Sequence, residues 1–367
     1  MAKTKELFKD TSAKIIELHK AGMERSANLD VYQILIFPDD NNKTVVKDFI
    51  LLGFQVIGGV RILLFILFLV IYCLILCGNV LIITVVSTSK NLHTPMYFFI
   101  LQLSISDILL ATDIIPKTLQ VLLNNGGTIS FLDCITQCYL FGASDAAECL
   151  LLTVMAFDRY VAICNPLRYT SIMTSGLCVL LSIICWVFGS FLVLTYIITI
   201  PKLIFCGPNT IDYLFCDIVP ITELACSDTY IVHLEIFLVG IPSIFVPTTI
   251  IIVSYIYIVI TVLTIPSSTG RQKAFSTCSS HLIVVSIFYG SIFSVYIVPS
   301  KGQSSTISKV LSLLYTVFTP LVNPIIYSLR NEEIKRITQR LLSAVHISPR
   351  GEAQPIICWQ GLVSSRE

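Results

Sequence analysis

Residues 62–87 read ILLFILFLVIYCLILCGNVLIITVVS, a run without a single charge. A helix rises 1.5 Å per residue, so about 20 apolar residues cross the roughly 30 Å of bilayer hydrocarbon. This run is long enough to cross with some tilt. Outward from it, six more stretches qualify by apolarity and by the polar residues that bound them: 96–118, 132–164, 177–199, 232–264, 272–299 and 306–328. The third is overlong and must tilt or project beyond the membrane. The fifth meets the sixth across a short polar link, Pro266 to Gln272. The predicted fold class is an all-α membrane protein, a bundle of seven transmembrane helices.

Composition points the same way. Only 13% of the 367 residues are charged, against roughly 25% in a soluble domain. The mean hydropathy is +0.83. With a net charge of +1, a soluble enzyme, a disordered tail protein and a nucleic-acid binder are all poor fits. The start of the chain carries Lys3, Lys5, Lys9, Lys14 and Lys20 and no apolar core, so no cleaved signal peptide is expected. The 13 cysteines form no CxxC pair and no zinc-like spacing, so no metal site is expected.

Lysine and arginine in the short loops set the orientation. With the N-terminus outside and the C-terminus inside, the cytoplasmic segments hold Lys90, Arg159, Arg168, Arg271, Lys273, Arg330, Lys335, Arg336 and Arg340. The outer loops then hold only Lys117, Lys202, Lys301 and Lys309, and the loop between spans four and five is acidic. The lysines of the N-terminal tail argue the other way, with less weight because the tail is long. Asn42-Lys43-Thr44 is a glycosylation sequon, usable only on that outer side. After span seven, Ile334, Ile337, Leu341, Leu342 and Val345 share one helical face, which predicts a short amphipathic eighth helix over 331–345, resting on the inner leaflet lipid.

An ionisable group in hydrocarbon costs about 2.5–3.5 kcal/mol on insertion scales, so each one is a functional candidate. Asp107 lies in span two; Asp145 and Glu148 lie three residues apart, on one face of span three. Asp107 and Glu148 together suit a sodium ion, a shared proton, or a hydrogen-bonded structural role facing the bundle. Asp158 and Arg159 close span three and are able to pair locally in one state and release the arginine in another. In span seven, Asn323 precedes Pro324, whose ring frees a carbonyl. Asn323 is able to satisfy such groups and to reach Asp107, making a kinked polar seam. Cys134, Cys206, Cys216 and Cys226 fall on the outer face, where four thiols allow three pairings. Cysteines inside the spans, Cys73, Cys77, Cys149, Cys178 and Cys185 among them, read as packing residues.

These pieces coincide with a known pattern. From Asn42 to Leu342 the chain resembles an olfactory (odorant) receptor of the rhodopsin-like G-protein-coupled class, in its tetrapod-type (class II) branch. The residues that carry the likeness include Phe49-Ile-Leu-Leu-Gly-Phe54, Gly78-Asn79, Leu92-His-Thr-Pro-Met-Tyr-Phe-Phe99, Leu103-Ser-Ile-Ser-Asp107 and Met155 through Cys164. They continue with Ser254-Tyr255, Lys273 through Leu282, Phe288-Tyr-Gly290 and Pro320 through Asn331. Phe157 departs from the family's usual Tyr.

The resemblance implies disulfides Cys134–Cys216 and Cys206–Cys226. It implies a sodium-linked centre at Asp107 and Glu148, with Asn323, Pro324, Tyr327 and Tyr255 rearranging on activation. Asp158, Arg159, Tyr160 and Lys273 would face a heterotrimeric G protein of the stimulatory class, raising cAMP. Odorant would bind between spans three, five and six, near Phe141, Gly142, Asp145, Ala146, Ser243, Tyr289, Ile292, Phe293 and Tyr296. Asp145 there favours an amine or hydroxyl ligand, or is satisfied by Ser243 or Tyr296. The implied location is the plasma membrane, and no catalytic constellation appears. Two rivals remain: a receptor of this fold for a non-odorant ligand, and a transporter, although no internal repeat is visible.

Met1 through Met23 resembles the opening of a mariner-like transposase. That is too short for a helix-turn-helix, so DNA binding does not follow. The expectation for 1–41 is an extra segment, either disordered or an error of the gene model, ahead of a receptor domain at 42–345. The tail 346–367 is unassigned.

Overall fold

The computed structural model describes residues 46–56, 58–206, 209–296 and 305–329, with Ile334 and Ile337. The segment 1–41, the sequon at Asn42, most of the helix expected at 331–345 and the tail 346–367 lie outside the described residues.

Among the described residues, seven helices are long and apolar enough to cross a membrane. They are α1 (Gly58–Thr88), α2 (Pro95–Asn124), α3 (Phe131–Cys164), α4 (Ser175–Lys202), α5 (Tyr230–Thr264), α6 (Ser268–Tyr296) and α7 (305–329). Local chemistry fixes several ends. Pro95 opens α2 at a position where its missing N–H is not needed, and Asn125 closes it in the left-handed region at φ 56°. Ser130 caps α3 by accepting from Asp133 N at 3.1 Å while its own hydroxyl donates to Asp133 Oδ2 at 2.7 Å. Thr174 caps α4 through Leu177 N. Two π turns, Ile236–Gly240 in α5 and Leu314–Phe318 in α7, interrupt the regular ladder.

The bundle turns apolar side chains outward. Leu63, Val187 and Phe237 are each more than 60% exposed, a surface suited to lipid and not to water. The spans α1 and α5 are the least buried and α3 the most, so α3 is the axis of the bundle. Small residues allow the closest contacts: a Cβ on Gly189 of α4 would sit 3.0 Å from the backbone nitrogen of Ala147, and one on Gly78 of α1 would sit 3.1 Å from Pro324.

The ends of the spans differ from those read by hydropathy. Apolarity fades at Lys117, yet α2 runs on to Asn124, because a helix does not stop where hydrocarbon does. Likewise α6 begins at Ser268, so part of the expected polar link is helical.

One end of the bundle carries a three-stranded sheet that the sequence pattern did not announce. Strand β1 (Asp48–Leu51) pairs antiparallel with β2 (Gly127–Ser130) and parallel with β3 (Thr210–Ile211), in the order β2-β1-β3. Phe49 is fully buried, its ring 5.7 Å from Phe131 and 5.6 Å from Phe205. Gly53 then turns the chain at φ +65°, tight against Val121. Both disulfides, Cys134–Cys216 and Cys206–Cys226, lie at this end, with Cα atoms 5.4 and 5.7 Å apart.

Candidate functional site

Below the sheet, a cavity of about 500 Å³ opens between α3, α4, α5 and α6. Phe141, Gly142, Asp145, Ala146, Ser243 and Ile292, all expected at a pocket, line it. Two others do not. Tyr289 is buried deeper and donates its hydroxyl to Cys149 O at 3.1 Å, and Phe293 packs edge-on against Phe245 at 5.4 Å. The side chains of Tyr296 and Lys273 lie outside the described ones. Ser243 does not serve Asp145: its hydroxyl donates to Gly240 O at 2.7 Å within its own helix. Asp145 Oδ1 is buried with no hydrogen-bond partner.

The wall includes side chains that sequence reasoning missed, Val193 and Tyr196 from α4 and Asp217 from the loop. The disulfide explains Asp217. Cys216 is tied to Cys134 at the start of α3, and its amide donates to Gln137 Oε1 at 2.9 Å, which seats the loop on α3. Asp217 follows directly, 2% exposed, and caps the short helix Ile218–Glu223 with Oδ1 on Ile218 N at 2.7 Å. Tyr213 in the same loop is buried, which, with the charge of Asp217, holds its hydroxyl well above the usual phenol range and keeps it neutral.

A polar centre lies at mid-bundle. Asn323 Nδ2 donates to Asp107 Oδ1 at 3.0 Å and Oδ2 at 3.2 Å, and to Glu148 Oε1 at 3.4 Å, so α7 is joined to α2 and α3. Asp107, Glu148 and Asn323 are at most 2% exposed. Glu148 Oε2, Asn323 Oδ1 and the Tyr327 hydroxyl are buried without hydrogen-bond partners. Asn79 of α1 braces α7 by donating to Pro320 O at 3.2 Å, the carbonyl that the Pro324 ring leaves without its ladder bond.

At the end opposite the sheet, Arg159 pairs with its neighbour. Its Nε and Nη2 donate to Asp158 Oδ2 at 3.0 and 2.6 Å, while Tyr169 donates to Asp158 Oδ1 at 2.8 Å. Burial first, and Asp158 beside it, hold the Tyr169 hydroxyl well above its ordinary value, so it stays a donor. Tyr160 packs against Phe157 and Tyr257. Tyr255 of α5 and His281 of α6 share a buried hydrogen bond of 2.7 Å between the hydroxyl and Nδ1. Nothing in the sequence marked Tyr169, whereas His281 stood inside a quoted motif and, with Ser280, was set aside as a catalytic pair.

The family model described as olfactory receptor matches residues 68–345. The chain belongs to the olfactory receptor family. Over 309 residues it is 46% identical to olfactory receptor 6N1 of Homo sapiens, covering 84% of this chain and 99% of that protein. Olfactory receptor 11L1 of Homo sapiens is 43% identical over 83% of this chain and 94% of its own length. Olfactory receptor 1M1 of Mus musculus is 41% identical over 83% and 97%. This olfactory receptor is thus a multi-pass protein of the plasma membrane, takes small odorant molecules, signals through a heterotrimeric G protein and is not an enzyme.

Proposed function

We propose that odorant occupies the cavity between α3, α4, α5 and α6 and that the opposite end then opens to a G protein of the stimulatory class, raising cAMP. The observation that carries this reading is the cavity itself: about 500 Å³, mostly apolar, with a few convergent polar groups, as small-molecule sites require. The disulfide-bound loop covers its end through Asp217, Ile218 and Val219; we assign that end to the outer side and the Arg159 end to the cytoplasm.

Ligand against Ser243 and Ile292 bears on α5 and α6, the helices that also carry Tyr255 and His281. A shift of α6 would pull on that bond and on the Tyr289 contact to α3. Arg159 would then leave Asp158 for the G protein, with Tyr160 and Lys273 beside it, and Tyr327, buried without a partner at rest, would take a new one. Asp107, Glu148 Oε2 and Asn323 Oδ1 would supply oxygens to a sodium ion, whose charge would balance the carboxylates. We assign the chain after α7 to the inner leaflet lipid; Ile334 is buried and Ile337 packs on the core.

The test is cAMP production in cells displaying the full chain across a broad odorant panel. A ligand-dependent rise that Arg159→Ala abolishes, at equal surface display, is the expected result. A rise that survives this change overturns the assignment of Arg159.

A further inference from the structure

We propose that the cavity is entered sideways, from the bilayer, through an apolar opening between α4 and α5, which admits uncharged molecules dissolved in lipid; this rests on the reading of the cavity as the ligand site. Phe188 of α4 and Leu238, Ile241 and Val246 of α5 line the cavity. The same four side chains are 48%, 60%, 36% and 57% exposed, so the cavity wall continues onto the surface of the bundle between these helices. All four are apolar, and Phe188 stands about 20 Å from either end of α4, at the depth of the hydrocarbon. Lipid, not water, meets the cavity there. At the sheet end the way in is covered: the loop tied to α3 by Cys134–Cys216 lays Asp217, Ile218 and Val219 over the cavity.

The frame of the opening follows from particular residues. Helices α4 and α5 both pack on α3, and they meet each other at the sheet end, where α4 touches Tyr230–Glu235. There Thr199 Oγ1 donates to Glu235 Oε1 at 2.7 Å and the Tyr196 hydroxyl donates to Glu235 O at 3.2 Å, which makes a lintel. Gly240 lets α5 pass beneath it, since a Cβ there would lie 2.9 Å from the Tyr196 hydroxyl oxygen. The edge on α5 is the irregular part of that helix: the π turn Ile236–Gly240, then Pro242 and Pro247. A π turn shifts the side-chain rows by which a helix beds into its neighbour, which keeps α5 from closing onto α4 below the lintel. Apolar odorants gather where this opening lies, because each methylene favours lipid over water about fourfold.

The experiment uses the full chain in phosphatidylcholine vesicles and two photoreactive probes: a diazirine analogue of octanol, which enters the bilayer, and a sulfonated analogue of it, which stays in water. Each is mixed briefly and flashed, and the adducts are mapped by mass spectrometry. The octanol probe is expected to label the inner wall of the cavity, Phe141 to Leu150 of α3, as well as the lipid-facing side of α1 around Leu63. The sulfonated probe is expected to leave α3 unlabelled. Leu238→Trp with Val246→Trp adds bulk at the opening and should remove the α3 adducts while keeping those on α1. Ile218→Trp with Val219→Trp adds similar bulk under the loop and should leave the α3 adducts in place. The proposal is overturned if α3 stays unlabelled while α1 is labelled, if the sulfonated probe reaches α3, if the first pair keeps the adducts, or if the second pair loses as many. Should either pair fail to fold, the contrast between the two probes on the wild-type chain decides. Adducts that obey this pattern in a receptor silent in cAMP to the whole odorant panel keep the route and overturn the cavity as the signalling site. A cAMP response from a receptor whose α3 stays unlabelled does the reverse.

Discussion

The amide of Asn323 on α7 donates to both carboxylate oxygens of Asp107 on α2, 216 residues away in the chain. One side chain thus holds the proline-bearing helix to the core, and Glu148 on α3 shares the same donor. Asp107→Ala leaves that amide without its main acceptors in a buried setting, at a cost of about 1.5–3 kcal/mol. The purified variant should melt lower than the wild type. It should also lose any stabilisation that sodium chloride gives over potassium chloride, since the oxygen set is then incomplete. Equal salt effects in both proteins would rule out the ion at this centre.

At the end of the bundle opposite the sheet, Asp158 holds Arg159 on one oxygen and accepts from Tyr169 on the other. Tyr169→Phe removes that second anchor, and the resting pair weakens by about 0.5–1.5 kcal/mol. Basal cAMP should rise about two- to tenfold at equal display, by the same arithmetic. The wild-type bond should not vary with pH over the physiological range. The folded protein raises the Tyr169 pKa above its ordinary value near 10, so its contribution is complete below that value and fades only as pH climbs beyond it. Basal signal measured between about pH 6 and 9 should therefore show no step attributable to this phenol.

The two disulfides close loops of very different length, 82 and 20 residues. Chain entropy alone gives about 4.5 kcal/mol for the longer loop and about 3.3 kcal/mol for the shorter. Beyond that, Cys216 immediately precedes Asp217 in the cavity wall, whereas Cys206–Cys226 stays within the loop. Cys134→Ser should lower surface display more than Cys206→Ser, and among displayed molecules should weaken ligand response more. Equal losses would mean that the loop is positioned by the sheet alone.

Gly142 faces Val193 across the α3–α4 wall, where an added Cβ would lie 2.9 Å from Cγ1. Both residues line the cavity, and the valine side chain, unlike backbone, is able to move inward. Gly142→Ala should therefore fold but narrow the site. In a homologous ligand series the longest active members should lose about tenfold in potency, roughly the worth of one or two displaced methylenes, while the shortest change little. A uniform loss across the series would point to damage to the helix contact instead.

The spans and the buried charges were legible in sequence because hydrocarbon tolerates so little polarity. Asp107, Asp145, Glu148 and Asn323 stand out in any seven-helix reading for that reason. The cavity's α4 wall was not legible. Tyr196 and Val193 are ordinary residues of an apolar span, and the face that turns inward follows from close α3–α4 contacts such as those at Gly189 and Gly142. Asp217 was one of several acids in a long loop, and its place depends on the fold bringing Cys216 to Cys134. The sheet was hidden for another reason: β1 and β3 meet across about 160 residues of chain and share only two paired positions, too few to leave a pattern. Resemblance to a family supplied the disulfide pairing, which spacing left open.

Lys309 shows how the sheet end is fastened to the bundle. Its ammonium, on a side chain 5% exposed, donates to Gly53 O at 2.8 Å and to Asp212 Oδ1 at 2.5 Å, joining α7 to the turn after β1 and to the residue after β3. Lys309→Met keeps the length and removes both bonds, leaving the Gly53 carbonyl buried without this donor. Because the Asp212 side chain is 49% exposed, water compensates it in part, and the expected loss is about 1–3 kcal/mol rather than that of a fully buried pair. Asp212→Ala should cost less than Lys309→Met, since the lysine keeps Gly53 O. Thermal unfolding of the two purified variants checks that order, and the reverse order would mean that the ion pair, not the carbonyl, fastens the cap.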